Sequence, residues 1–132
     1  MPIVSDFVHI LGDRTTRIGD GSHESGFTTQ FRTADRHQSG TAYITFMVKG
    51  MTVTNDHADV FVNDVRVGVL FNNQGGNRDH WQTQIVSLSG AQLNSGDNVL
   101  RVVPVPYSGS SSTDHFDDYF IRNVICNFHQ ST

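Results

Sequence analysis

At 132 residues the chain suits a single domain spanning 1–132, long enough to bury a core without disulfide staples. Hydrophobic residues make up 36% of it and charged residues 17%; the balance of Gly, Ser, Thr, Asn, Asp and Gln marks a turn-rich β protein and excludes a helical bundle. A formal charge of −4 with one lysine, Lys49, lacks the basic footprint that phosphate backbones select, so no nucleic-acid partner is expected.

The opening residues carry neither a basic n-region nor an apolar h-region, so cytoplasmic synthesis is expected, with any release by a non-classical route. No window approaches a membrane span, and no membrane insertion is expected. Residues 6–11 (DFVHIL) read as a first strand. The turn-rich segment 12–26 follows, holding Arg14, Arg17, Asp20, His23 and Glu24, and loops of that length are usually functional or disordered. Residues 27–33 form a second strand and 34–40 a polar loop. In the third strand, 41–48, Ala42, Ile44, Phe46 and Val48 share a core-facing side, with Tyr43, Thr45 and Met47 on the other.

Lys49, Gly50 and Met51 make a bend, and 58–70 is a hairpin turned at Asn63 and Asp64, which tolerate the positive φ of a tight turn. Segment 72–80 (NNQGGNRDH) is a loop with no apolar residue. Strands follow at 81–88 and 99–105, the second ended by Pro104 and Pro106. The Ser/Gly-rich loop 107–118 leads into the longest apolar strand, 119–128. By strict alternation it places Phe120, Val124, Cys126 and Phe128 on one face and Tyr119, Ile121 and Ile125 on the other, which makes it a central strand. Cys126, the only cysteine, reads as a buried thiol. The pattern predicts an all-β, antiparallel sandwich of jelly-roll type with about eight or nine strands.

Three segments carry a resemblance. They are Val62-Asn63-Asp64 with Val67-Gly68, the Trp81-led strand 81–88, and Gly96-Asp97-Asn98-Val99-Leu100-Arg101-Val102. Together they resemble the "VNG-x-x-VG" hairpin, aromatic-led strand and "G-x-N-x-L-R-V" strand of the galactose-binding-like jelly rolls. That superfamily supplies carbohydrate-binding modules and accessory domains of glycoside hydrolases. The resemblance covers about a third of the chain. It implies a jelly-roll β-sandwich and non-catalytic binding of a glycan or polysaccharide, as a small lectin or free-standing module.

Sugars are held by aromatic faces together with amide, carboxylate and guanidinium groups that pair with hydroxyls. Asn72, Asn73, Arg78, Asp79 and His80 offer that polar set, and Trp81 or Tyr107 would cover an apolar sugar face. Because Trp81 opens an alternating strand, a core role stays open for it as well. Asp114, Asp117 and Asp118 precede the final strand, while Asp13, Asp20 and Glu24 follow the first. If those strands are neighbours, Asp20, Glu24, Asp117 and Asp118 would supply hard oxygens to a calcium ion that orders the loops. The segment DDYFIRNV also resembles the Asp-led final strand of calcium-dependent carbohydrate-binding modules, through Asp117 and Asp118 alone. The competing view is a solvated acidic loop end with Asp118 capping a turn.

The seven histidines show no metal-ligand spacing, and Ser108, Ser110, Ser111 and Ser112 lie outside any nucleophile-elbow motif. Most carboxylates fall in loops, which disfavours the rigid carboxylate pair of a glycosidase. Two other function classes remain beside the lectin: a jelly-roll coat, sheath or virion subunit, and a small metal-dependent enzyme. A lone module gains avidity by oligomerising. A two-sided apolar final strand leaves room for a homo-oligomer interface, and a fully internal strand explains it equally.

Overall fold

The alternating runs and their turn residues become eleven strands in the computed structural model, which describes residues 4–33, 41–52, 57–72, 79–106 and 115–130. In chain order these are β1 (Val4–Leu11), β2 (Thr16–Ile18), β3 (Phe27–Arg32), β4 (Thr41–Lys49), β5 (Ala58–Val62), β6 (Val65–Leu70), β7 (Gln82–Ser89), β8 (Asp97–Val102), β9 (Val105–Pro106), β10 (Phe116–Asp117) and β11 (Tyr119–Gln130). One 3-10 turn, Gly90–Gln92, joins β7 to β8. The strands form an antiparallel sandwich. One sheet runs β1-β11-β4-β7 with β2 also on β11, the other runs β3-β8-β5-β6, and β9 pairs with β10. The strands beyond the expected eight or nine include β2, β9 and β10, each only two or three residues long and too short for periodicity to reveal.

The residues that carry the family resemblance hold the fold together. Asn63 (φ 51°) and Asp64 (φ 67°) both adopt the left-handed conformation of a two-residue hairpin turn. The Asn63 amide donates to Asn98 Oδ1 at 2.9 Å and to the Gln92 carbonyl at 3.0 Å, and its Oδ1 accepts from Val99 N–H at 2.9 Å. Asn98, 1% exposed, also accepts from Asn94 N–H and donates to the Asn94 and Gly96 carbonyls. All its amide positions are satisfied, as burial requires. Gly68 serves a closing role: a Cβ there would stand 2.6 Å from Val86 Cγ1, so its absence lets β6, at the edge of one sheet, meet β7, at the edge of the other.

In β4 the expected face is the core face, with Ala42, Ile44, Phe46 and Val48 at 0–1% exposure. Strand β11 is central, flanked by β1 and β2 on one side and by β4 on the other. Its two faces differ from strict alternation. Tyr119, Ile121, Val124, Cys126 and Phe128 are all buried together. Arg122 pairs with Met47 and Ile125 with Thr45, so a β-bulge inserts one residue, and Asn123 takes φ 49°. The bulge flips the parity midway and turns both apolar sets inward. Phe120 and Ile125 stay outward and half-buried. The Tyr119 hydroxyl donates to the Val103 carbonyl at 2.9 Å, bonding β11 to the segment after β8 in the other sheet.

The registers define two ends of the sandwich. Val4 pairs with Gln130 and Thr41 with Ser89 at one end, while Lys49 pairs with Phe120 and Val48 with Gln82 at the other. The second, apical end receives the strand ends that lead into 50–57 and 71–81 and out of 103–118.

Candidate functional site

At the apical end, Asp118, immediately before β11, is fixed from two sides. Its Oδ2 accepts from Arg17 Nη2 at 2.7 Å, and its Oδ1 accepts from Asp20 N–H at 2.6 Å. Arg17 Nη1 donates to the Asp20 carbonyl at 2.7 Å, and the Asp20 carboxylate accepts from the backbone N–H groups of His115 and Phe116. Asp117 Oδ2 accepts from Thr52 N–H at 2.9 Å and Glu24 Oε1 from Gly21 N–H at 3.1 Å. A Cβ at Gly19 would collide with Asp118 Oδ1, so glycine is needed for this close approach.

Asp20 and Asp118 therefore do come together, as the sequence suggested, but around a guanidinium. Calcium needs six to eight converging oxygens. Here the oxygens of Asp20, Glu24, Asp117 and Asp118 face N–H donors, and among the described residues no three His, Cys, Asp or Glu side chains are grouped to hold a metal ion.

Beside this brace lies a cavity of about 370 Å³ lined by Lys49, Gly50, Asp79, Asp118 and Phe120. Lys49 ends β4 and pairs across to Phe120 at the start of β11, so the register sets an ammonium beside a phenyl ring, with Nζ 5.5 Å from the ring centroid. Gly50 keeps the floor open. At φ 95° it has a conformation disfavoured for other residues, and a Cβ there would sit 3.3 Å from both the Asp118 carbonyl and the Phe120 ring.

Trp81 packs against Lys49, one of the residues that line the cavity. Gln82, Gln84, Val86 and Leu88 stand opposite the inward residues Val48, Phe46, Ile44 and Ala42, so Trp81, one residue earlier, lies on the outward side. Its ring is half-buried under two cations, Lys49 Nζ at 5.0 Å and Arg122 Cζ at 4.1 Å from the centroid. Arg122 Nε is buried with no hydrogen-bond partner among the described residues, and the electron-rich indole face compensates it in part. Trp81 is thus neither a core residue nor an open platform.

The other sequence candidates divide. Asp79 lines the cavity, His80 is exposed next to it in sequence, and Asn72 lines a separate hollow with Phe71. Asn73, Arg78 and Tyr107 lie outside the described residues. Sequence reasoning missed Lys49, Phe120 and Phe71. The signal for Lys49 was present, since alternation along β4 puts the chain's single lysine on the outward face at the strand's apical end. The described histidines scatter: His9 packs on Phe7, His23 on Phe27, and His57 Nε2 lies 3.3 Å from Asp59 Oδ1.

No family model matches the sequence, and no curated protein matches it. Among solved structures, a family 35 carbohydrate-binding module from Clostridium thermocellum is similar over 92% of this chain and 97% of its own, with a TM-score of 0.55 and 16% identity. The shared fold is an antiparallel jelly-roll β-sandwich. The same jelly roll occurs in a β-porphyranase of glycoside hydrolase family 86 from the human gut bacterium Bacteroides plebeius, with a TM-score of 0.66 and 15% identity over 98% of this chain. It occurs again in a family 86 enzyme in complex with neoagarooctaose, with a TM-score of 0.65 and 13% identity over 97% of this chain. This chain spans only 21% and 19% of those two enzymes. Among the described residues no helix is long and apolar enough to cross a membrane.

Proposed function

We propose that this jelly roll is a non-catalytic carbohydrate-binding module whose ligand seats in the apical cavity. The observation that carries the reading is the lining itself, whose described residues include the carboxylates of Asp79 and Asp118, the Lys49 ammonium, the Phe120 ring and Gly50. Sugar hydroxyls would donate to the carboxylates and accept from Lys49, while Phe120 covers ring C–H groups. Arg17 and Asp20 N–H hold Asp118 as a fixed acceptor, which suits recognition better than proton transfer to a leaving group. Loop order comes from the Arg17 brace, so binding in this reading needs no calcium.

The test is a glycan array, run in calcium and repeated in chelator, that includes neoagaro-oligosaccharides because a structural neighbour holds one. A set of related glycans should bind equally in both conditions. Lys49→Ala and Asp79→Ala should each weaken that binding about tenfold or more with little change in melting temperature. A blank array would instead favour an assembly role for the same fold. Binding that vanished in chelator would return calcium to the mechanism.

A further inference from the structure

A second hollow, of about 420 Å³, lies at the seam where β6 and β7 meet, lined by Val69, Phe71, Asn72, Gln82, Gln84 and Ile85. Its chemistry contrasts with that of the apical cavity: among the described residues that line it none is charged, and three are planar amides. Phe71 is 57% exposed and Ile85 62% exposed, so two large apolar side chains stand open beside those amides.

Phe71 is also anchored. Gln84 Oε1 accepts from Phe71 N–H at 2.8 Å, and Gln84 Nε2 donates to the Phe71 carbonyl at 2.8 Å. One side-chain amide thus satisfies both backbone groups of the residue, as a neighbouring strand would. Gln84 Nε2 also reaches Gln82 Oε1 at 3.3 Å, which orders the second amide beside the first. The result is an exposed ring on a fixed backbone, next to hydrogen-bonding groups without charge. Preorganisation of this kind lowers the entropic cost of binding.

We infer that the Phe71 hollow is a second sugar-binding subsite, which takes a neutral pyranose of a polysaccharide. This rests on the carbohydrate-binding reading and deepens it. Phe71 would stack on the apolar C–H face of the sugar, and the exposed Gln82 amide, ordered by Gln84, would pair with its hydroxyls. A uronate or sulfated sugar would find no cation among the described residues of this lining, whereas those of the apical cavity include Lys49. The hollow's volume falls within the range of ordinary small-ligand pockets. Asn72 and Asp79 lie seven positions apart in one connection, so the two sites border the two ends of that segment. A polymer that engages both gains avidity over a short fragment.

Affinity electrophoresis of wild type, Phe71→Ala and Lys49→Ala separates the two sites, in gels containing agarose, xylan, galactomannan, mixed-linkage glucan or the anionic polygalacturonate. The inference expects Phe71→Ala to weaken binding to a retained neutral polysaccharide about tenfold, with any retention on polygalacturonate unchanged and melting temperature preserved. Phe71→Ala that migrates as wild type on every neutral polymer that retards the wild type overturns the subsite and leaves the apical reading standing. Loss in Phe71→Ala with no change in Lys49→Ala supports the seam subsite and overturns the apical one. A wild type retarded by no polymer overturns both.

Discussion

Arg17 occupies the place where the sequence suggested a cation. Its guanidinium links Asp118 to the Asp20 carbonyl, and so ties the turn after β2 to the start of β11. Both partners of the ion pair are more than a third exposed, so solvent screens it, and Arg17→Ala should cost only about 1 kcal/mol. Thermal unfolding of Arg17→Ala should show a drop of a few degrees. Adding chelator to the wild type should leave the transition in place, and a chelator-induced drop would overturn the arginine account. At this scale the sequence was legible where a residue's role follows from its own chemistry. Asn63 and Asp64 take positive φ, and Cys126 is buried. It was not legible where the role depends on a partner far along the chain: nothing near Asp118 in sequence announces Arg17, and nothing near Phe71 announces Gln84.

Strand β11 shows what a single inserted residue does to an element. Strict alternation divides its apolar residues between two faces, and the bulge at Asn123 reunites them. Deleting Asn123 should restore strict alternation and force either Tyr119 and Ile121 or Val124, Cys126 and Phe128 out of the core. Each such side chain is worth about 1.5–3 kcal/mol when buried, so the deletion variant should fail to fold cooperatively. Asn123→Gly should keep the fold, since glycine accepts φ 49° without strain. Circular dichroism with a thermal scan distinguishes the two, and a well-folded deletion variant would contradict the bulge. The extents of β3, β4, β6 and β7 were readable from alternation within a residue or two. The bulge was not, because a period of two carries no mark of where it is interrupted. Trp81 is the complementary case: its alternation placed it on a face correctly, and only the β4 partner residues showed that the face is outward.

At the scale of the whole molecule, the core holds two acidic protons that it does not release readily. Burial pushes the Cys126 thiol from 9.0 up to about 12, and raises the Tyr119 phenol above its usual range. The unfolded chain deprotonates these groups at ordinary pH values while the folded chain keeps them neutral. Stability from Cys126 is therefore complete below pH 9.0 and is lost as pH climbs toward about 12, at roughly 1.4 kcal/mol per pH unit; Tyr119 adds to the loss above 10.0. Denaturant midpoints should be flat in this term up to about pH 9 and then fall, with a shallower fall in Cys126→Ala. A thiol reagent at pH 8 should label the unfolded protein and spare the native one. The jelly-roll architecture was legible from turn chemistry, alternation and the Asn63 and Asn98 motifs. The merging of the Asp79 and Asp118 segments into one cavity was not, because it depends on how the strands of two sheets converge at one end.

The pairing of Val4 with Gln130 puts both terminal strands side by side at the pole opposite Lys49 and Phe120. Any polypeptide continuing from these strands departs from that far pole, with its two arms adjacent. A host chain can therefore splice the sandwich in at a single surface point, like a knob on a short stem. Both hollows, lined by residues at the opposite pole, would then face away from the host.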